Sequence, residues 1–295
     1  MNATVVSLPR LTLAQAPLTR AVQALDEHGK TCDLSIPAER ALTVYVDKQE
    51  LITLMTLGAH PEWLVLGYLR NQRLIESADQ LDSITVDWDA GEAGAGVAAV
   101  KTRSGLPDWQ SRTQSRIVTT GCGQGSMFGC AMEDLAQLKL PETRLSQSRL
   151  YAVLARVRQL ESTYKSAGSV HGCALFDGEE LRLFVEDVGR HNAVDTIAGW
   201  LAMQPPEAQP ADPLFYTTGR LTSEMVLKAA QLGVPLVVSR SGITQMGHEL
   251  AQTLGVCTVG RATHRHFYCY SAPHRSEEHT SELQSRGLIS YAVFC

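Results

Sequence analysis

The chain has 295 residues, 44% of them hydrophobic and 19% charged, so it can bury a core and is not of a disordered type. Its net charge of −5, from 26 basic and 31 acidic side chains, argues against non-specific nucleic-acid binding. No apolar run reaches membrane-spanning length and the first residues do not read as a signal peptide, so a cytoplasmic protein with reduced cysteines and no membrane partner is expected.

Residues 1–40 mix polar and apolar positions without a clear period. Residues 42–46 alternate as a half-buried strand, Asp47 to Gln49 turn the chain, and residues 51–55 form a second strand. Pro61 suits a first helical position, and Trp63, Leu64, Leu66, Leu69 and Leu74 give that helix an apolar face. Val86 and Trp88 end another strand, and residues 97–100 return as its hairpin partner after a Gly-rich turn. This half reads as a small α+β unit, residues 1–108, with the boundary near Gly105, Leu106 and Pro107.

The second half alternates strands and helices, which predicts a layered α/β domain over 109–274. A helix is expected from Ser146 to Tyr164, with Leu150, Val153, Leu154, Val157 and Leu160 on one face. Strands follow at 170–176 and 181–185 around a turn at Asp177 and Gly178, then a helix over 192–203. A strand at 214–216 leads to a helix capped by Thr222 or Ser223 and ended by Gly233. Pro235 to Val238 is continuously apolar, as in a sheet covered on both faces. A helix over 244–254 and strands at 256–259 and 266–270 complete the pattern. Residues 275–295 have no apolar period; they resemble translated sequencing-adapter DNA and are expected to be dispensable.

Three groups of residues carry chemistry. The first surrounds Cys122, which sits between Gly121 and Gly123; four glycines lie between Gly121 and Cys130, so the backbone lets a large group approach the thiol. A thiol there can attack, carry and release a group. Seven residues separate Cys122 from Cys130, which is not zinc-finger spacing, so no structural metal is expected. The second group is Glu186, Asp187, Arg190, His191, Asn192 and Asp195 at a strand-to-helix junction. His191 can serve as acid or base, or hold a thiolate by charge, while Asp187 or Asn192 caps the helix. Upstream, His171 and Cys173 share one face of a strand. The third group lies in strand-end loops: Gly219 with Arg220, Ser241 after Arg240, and the cationic run Arg261, His264, Arg265, His266. Helix N-termini after such loops bind anions, and three together point to a nucleotide-bearing polyanion.

With these residues the sequence resembles the formate dehydrogenase accessory sulfurtransferase family, FdhD, in order over about residues 40–274. The resemblance implies a sulfur carrier that takes persulfide sulfur from a cysteine desulfurase. It passes that sulfur to bis(molybdopterin guanine dinucleotide) molybdenum cofactor, held as substrate, before the cofactor enters formate dehydrogenase. It implies a homodimer and a C-terminal domain like the cytidine deaminases in fold. By position, Cys122 matches the persulfide-forming cysteine, and Arg261, Ala262, Thr263, His264, Arg265 and His266 match the cofactor-binding segment; Cys130 is a candidate second thiol. The family's Cys-x-x-Cys is broken here by Gly125. Two other readings remain. A zinc nucleoside deaminase lacks its H-x-E and P-C-x-x-C motifs in this chain. A chaperone that delivers cofactor without moving sulfur would use the same pocket.

Overall fold

The computed structural model describes residues 7–91, 95–105 and 138–276, with the backbone alone at 117–118 and 125–126. The expected boundary after Gly105 falls mostly outside these residues.

The first sheet joins β1 (Arg10–Leu11), β4 (Arg40–Val46), β5 (Gln49–Thr56), β6 (Leu81–Asp87) and β7 (Gly96–Thr102) in the order β1-β6-β7-β4-β5. The β4–β5 hairpin turns on Asp47 and Lys48, at φ 47° and 71°. Positive φ at both central residues matches the twist of a two-residue hairpin. Leu42, Val44 and Val46 alternate inward and meet α1 (Pro61–Asn71), which buries Leu64, Val65, Leu66, Tyr68 and Leu69. Pro61 opens the helix as expected; Trp63 is only half-buried, and Leu74 lies beyond the helix.

Residues 1–40 hold more order than their pattern suggests. Here β2 (Thr19–Leu25) and β3 (Thr31–Pro37) pair antiparallel as a separate hairpin. Its faces are mostly exposed, including Leu25, Leu34 and Ile36, so no inward apolar period marks it.

The second sheet has the order β11-β10-β12-β13-β14-β15, built from β10 (His171–Asp177), β11 (Glu180–Asp187), β12 (Pro213–Thr217), β13 (Leu236–Ser239), β14 (Cys257–Thr263) and β15 (His266–Ser271). The central strands β12, β13 and β14 are parallel; the outer pairings are antiparallel. Alternate residues feed two cores. Cys173, Leu175, Phe215 and Val237 pack on α4 (Arg190–Ala202), α5 (Ser223–Gln231) and α6 (Gln245–Leu254). Ala174, Phe176, Leu214, Tyr216, Leu236 and Val238 face α2 (Gln147–Gln159) instead. This is a layered α/β domain, and β13 is buried on both faces as its apolar run predicts.

The single helix expected over 146–164 is two. Leu160 takes an extended conformation (φ −62°, ψ 133°), and α3 (Thr163–Ala167) starts afresh. The restart is held by the Ser162 hydroxyl, which accepts from Lys165 N, and by the Glu186 carboxylate, which accepts from Thr163 N at 2.5 Å and Tyr164 N at 3.2 Å. These caps satisfy amides that a continuous helix would have paired internally. At the far end Arg275 is tied down: Nε donates to Gly255 O and Nη1 to Pro141 O, at 3.1 and 2.8 Å. The expected polar tail therefore contributes its first residues to the folded body, and residues 277–295 lie outside the described part.

Candidate functional site

The parallel strands β12 and β13 both end at one edge of the second sheet, the edge where open α/β sheets receive ligands. Because β10 runs antiparallel to β12, its first residue, His171, begins there, and its partner Asp187 ends β11 there. The loops at this edge are laced together. Thr218 N donates to Gly172 O, Arg240 N to Thr217 O, Leu221 N to Gly242 O and Arg261 N to Ser241 O, all within 3.1 Å. The Ser239 hydroxyl donates to Gly219 O at 2.6 Å and accepts from Ser241 N at 2.9 Å. Gly219 is required by closeness: a Cβ there would lie 2.8 Å from Arg190 Cδ. The fold thus brings Gly219, Arg220 and Ser241 together with Arg190, Arg240 and Arg261.

Among the described residues, Arg190, Arg220 and Arg240 all act on His171 at this edge. His171 is half-buried, and burial first, then Arg190, Arg220 and Arg240, hold its pKa below the ordinary 6.5. Arg220 and Arg240 reach solvent, and the Arg240 guanidinium stacks 5.4 Å from the Tyr164 ring centroid. Tyr164 went unnoticed in sequence because it belongs to the expected long helix rather than to a motif.

The segment 260–266 forms the end of the β14–β15 hairpin. Arg261, Thr263, His264, Arg265 and His266 are exposed, and Ala262 is buried as an anchor. Arg261 and His264 sit at φ 50° and 53°, left-handed values that cost a non-glycine residue about 1–2 kcal/mol. Arg261 stacks on Tyr268 and Arg265 on Tyr151 of α2, at 5.9 Å each, which holds both guanidiniums at the surface.

The junction after β11 is more structural than its composition suggests. Asp187 is buried, and its carboxylate accepts from Thr56 Oγ1 and Leu57 N of the first unit and from Gly189 N and Asn192 Nδ2 of its own. Asn192 also donates to Met55 O at 2.7 Å. The helix begins after Gly189 with no side-chain cap. Expected capping by Asp187 or Asn192 is thus replaced by a seam between the two units. His191 is 3% exposed, and burial, ahead of Lys228, pushes its pKa down to about 3. The expectation that it holds a thiolate by charge fails on that ground: the ring is neutral at pH 7, with Nδ1 3.4 Å from Glu224 Oε1. Beneath it Lys228 bonds both oxygens of Asp195 at 2.9 Å, a buried pair unmarked in sequence except by a Lys four residues after Glu224 on an apolar helix.

Cys122 and Cys130 lie outside the described residues. On either side of Cys122 in sequence, β8 (Ile117–Val118) and β9 (Gly125–Ser126) pair antiparallel. Among the described thiols, Cys173 is fully buried, donates to Thr217 Oγ1 at 3.3 Å, and is pushed by burial up to about 12, so it is a packing residue. No helix among the described residues is long and apolar enough to cross a membrane.

The described residues form a layered α/β domain with Arg190, Arg220 and Arg240 gathered at the strand ends around His171. The chain belongs to the FdhD/NarQ family, whose sequence profile matches residues 37–277. It is 29% identical over 241 residues to the sulfur carrier protein FdhD of Bacillus subtilis, covering 81% of this chain and 89% of that protein. It is 28% identical over 238 residues to the sulfur carrier protein FdhD of Staphylococcus aureus, covering 80% and 87%. Among solved structures, a crystal structure described as a formate dehydrogenase accessory protein from Desulfotalea psychrophila superimposes with a TM-score of 0.67 at 23% identity. That likeness covers 88% of this chain and all of the other, and shows a shared fold.

Proposed function

We propose that this protein is a sulfur carrier in formate dehydrogenase maturation. Cys122 accepts sulfur from a cysteine desulfurase and passes it to bis(molybdopterin guanine dinucleotide) molybdenum cofactor, bound as substrate. The observation that carries this reading is the family match, which spans both Cys122 and the cationic hairpin. The relatives named as sulfur carriers and the arginines gathered at the strand ends support it.

The Cys122 thiolate attacks the outer sulfur of a donor persulfide, and the donor leaves as a thiolate. Cys122 then carries the sulfur as Cys–S–S⁻. An acceptor that supplies an electron pair takes the outer sulfur, and Cys122 returns as thiolate. The cationic residues hold the acceptor's phosphates: Arg220 and Ser241 at the strand ends, Arg261, His264, Arg265 and His266 on the hairpin. His191, buried and with its value pushed down to about 3, neither supplies charge nor takes up a proton at pH 7, so the sulfur transfer does not run through it. The protein acts as a homodimer in the cytoplasm in this reading.

The test is maturation in a strain lacking the native protein. Cys122→Ser should abolish formate dehydrogenase activity while the protein stays folded. Full activity with Cys122→Ser would leave a cofactor carrier that moves no sulfur.

A further inference from the structure

Cys257 opens β14 and Cys269 lies on the paired strand β15, and their sulfurs are 4.0 Å apart. Among the described residues they are the one pair of thiols in contact. A bulge accompanies the contact: Thr258 pairs with Ser271 and Val259 with Cys269, so Tyr270 is an extra residue on β15. The bulge is held in place. His248 Nε2 of α6 donates to Tyr270 O at 2.9 Å, and the Ser271 hydroxyl accepts from Thr258 N at 3.1 Å and donates to Val256 O at 2.7 Å. The two thiols differ in access. Cys257 is fully buried in the core against α2, whereas Cys269 is half-buried at its margin. The hydrogen bond between the sulfurs, ahead of burial, raises the pKa of Cys257, and the same bond lowers that of Cys269. One thiol is thus reached from solvent and ionises first, with a second, protonated thiol directly behind it. Thiols that sense oxidants are arranged in this way, an accessible one beside a resolving one.

We propose that Cys257 and Cys269 are a dithiol pair that a hydroperoxide closes to a reversible disulfide, tying β14 to β15 beneath the cationic end of their hairpin. The Cys269 thiolate attacks the hydroxyl oxygen of the peroxide. An S–O bond forms, the O–O bond breaks, and the other oxygen leaves with the electron pair, so Cys269 becomes a sulfenic acid. The Cys257 thiol then attacks that sulfur. The S–S bond forms, the S–O bond breaks, and the hydroxyl leaves with the Cys257 proton as water. The pair gives up two electrons and the peroxide takes them; a thiol reductant reverses the reaction. In a reducing compartment such a bond is a transient state rather than a staple. The loop it closes, residues 257–269, contains the exposed Arg261, His264, Arg265 and His266, so oxidation restricts the segment that carries the surface cations. The pair works without Cys122 and adds a redox input to the hairpin.

The experiment treats the reduced full chain with hydrogen peroxide, blocks remaining thiols with an alkylating reagent in denaturant, and digests with trypsin. Cuts at Arg240, Arg261, Arg265 and Arg275 leave Cys257 in the peptide 241–261 and Cys269 in the peptide 266–275, neither with a second cysteine. Wild type should yield these two peptides joined, about 2 Da lighter than their sum and parted by a reductant. Cys257→Ala should yield no joined peptide and should carry sulfinic or sulfonic acid on Cys269, since the resolving thiol is gone. Cys269→Ser, at the less buried position, covers the case in which the core variant does not fold; it should leave Cys257 as a free, alkylated thiol. Amide exchange over residues 261–266 should slow about threefold or more when wild type is oxidised, and should not change when Cys269→Ser is treated alike. Full alkylation of both cysteines in peroxide-treated wild type overturns the proposal. So does Cys269 oxidised to sulfinic acid in wild type with no joined peptide. A joined peptide with unchanged exchange overturns the tie to the hairpin. None of these outcomes bears on Cys122, so failure of the pair leaves the sulfur-carrier reading standing.

Discussion

Gly67 of α1 and Gly199 of α4 face each other where the two helices cross, and neither has room for a side chain. A Cβ on Gly67 would lie 1.7 Å from the Asp195 carbonyl oxygen, and one on Gly199 would lie 1.9 Å from that of Trp63. The two units of the chain therefore meet backbone against backbone. Gly67→Ala or Gly199→Ala must push the helices apart and should cost about 1–3 kcal/mol or more, although alanine favours helix. Urea unfolding checks this; a stabilised Gly67→Ala protein would show that the crossing yields freely.

This contact explains what was legible in the sequence. The strands at 42–46 and 51–55, the Pro61 helix and the apolar β13 were readable because each buries a face with a regular period. The glycine crossing was not, because neither glycine carries a side chain to show periodicity. The break at Leu160 was hidden because its cause, Glu186, lies far along the chain. The strand-end cations were legible as motifs, but their convergence on His171 follows from the antiparallel placement of β10 beside β12.

Lys228 is buried, and Asp195 and Glu224 lie 2.9 and 3.5 Å from its Nζ. Burial works against its charge, and the two carboxylates outweigh burial, so its pKa stands above the ordinary value. Lys228→Met takes the counter-charge away from the buried Asp195 carboxylate and should cost about 3–5 kcal/mol. Adding Asp195→Asn should recover part of that loss, since Asn71 can still donate to residue 195. Chemical denaturation of the single and double variants decides; strictly additive losses would mean the pair is not coupled.

His191 makes stability fall in acid. Its folded value of about 3 lies below the unfolded 6.5, so its contribution is present above the unfolded value and is lost as pH falls toward the folded one. Asp187 and Asp195, raised by burial, act in the opposite sense. The stability difference between wild type and His191→Gln should therefore shrink from about pH 7 to about pH 4. A constant difference across that range contradicts a neutral, buried His191.

Arg275 donates to the carbonyls of Gly255 and Pro141, and its own carbonyl accepts from Leu145 N at 2.7 Å. A chain ending at residue 274 should lose about 1–3 kcal/mol, the cost of orphaning such groups, whereas one ending at residue 277 should keep the full melting temperature. Equal melting temperatures for the two truncations would make the Arg275 bonds inconsequential.

Cys122 stands between two glycines and is the proposed carrier, while Cys130 follows the apolar Phe128. Persulfide chemistry needs an accessible, ionised thiol. Accordingly Cys130→Ser should lower maturation only partly, whereas Cys122→Ser should end it. The most direct measurement is mass spectrometry of peptides after incubation with a cysteine desulfurase and cysteine. The account predicts one added sulfur atom on the Cys122 peptide, removed by reducing agent. Sulfur found on Cys130 alone, or on no cysteine, would contradict Cys122 as the carrier.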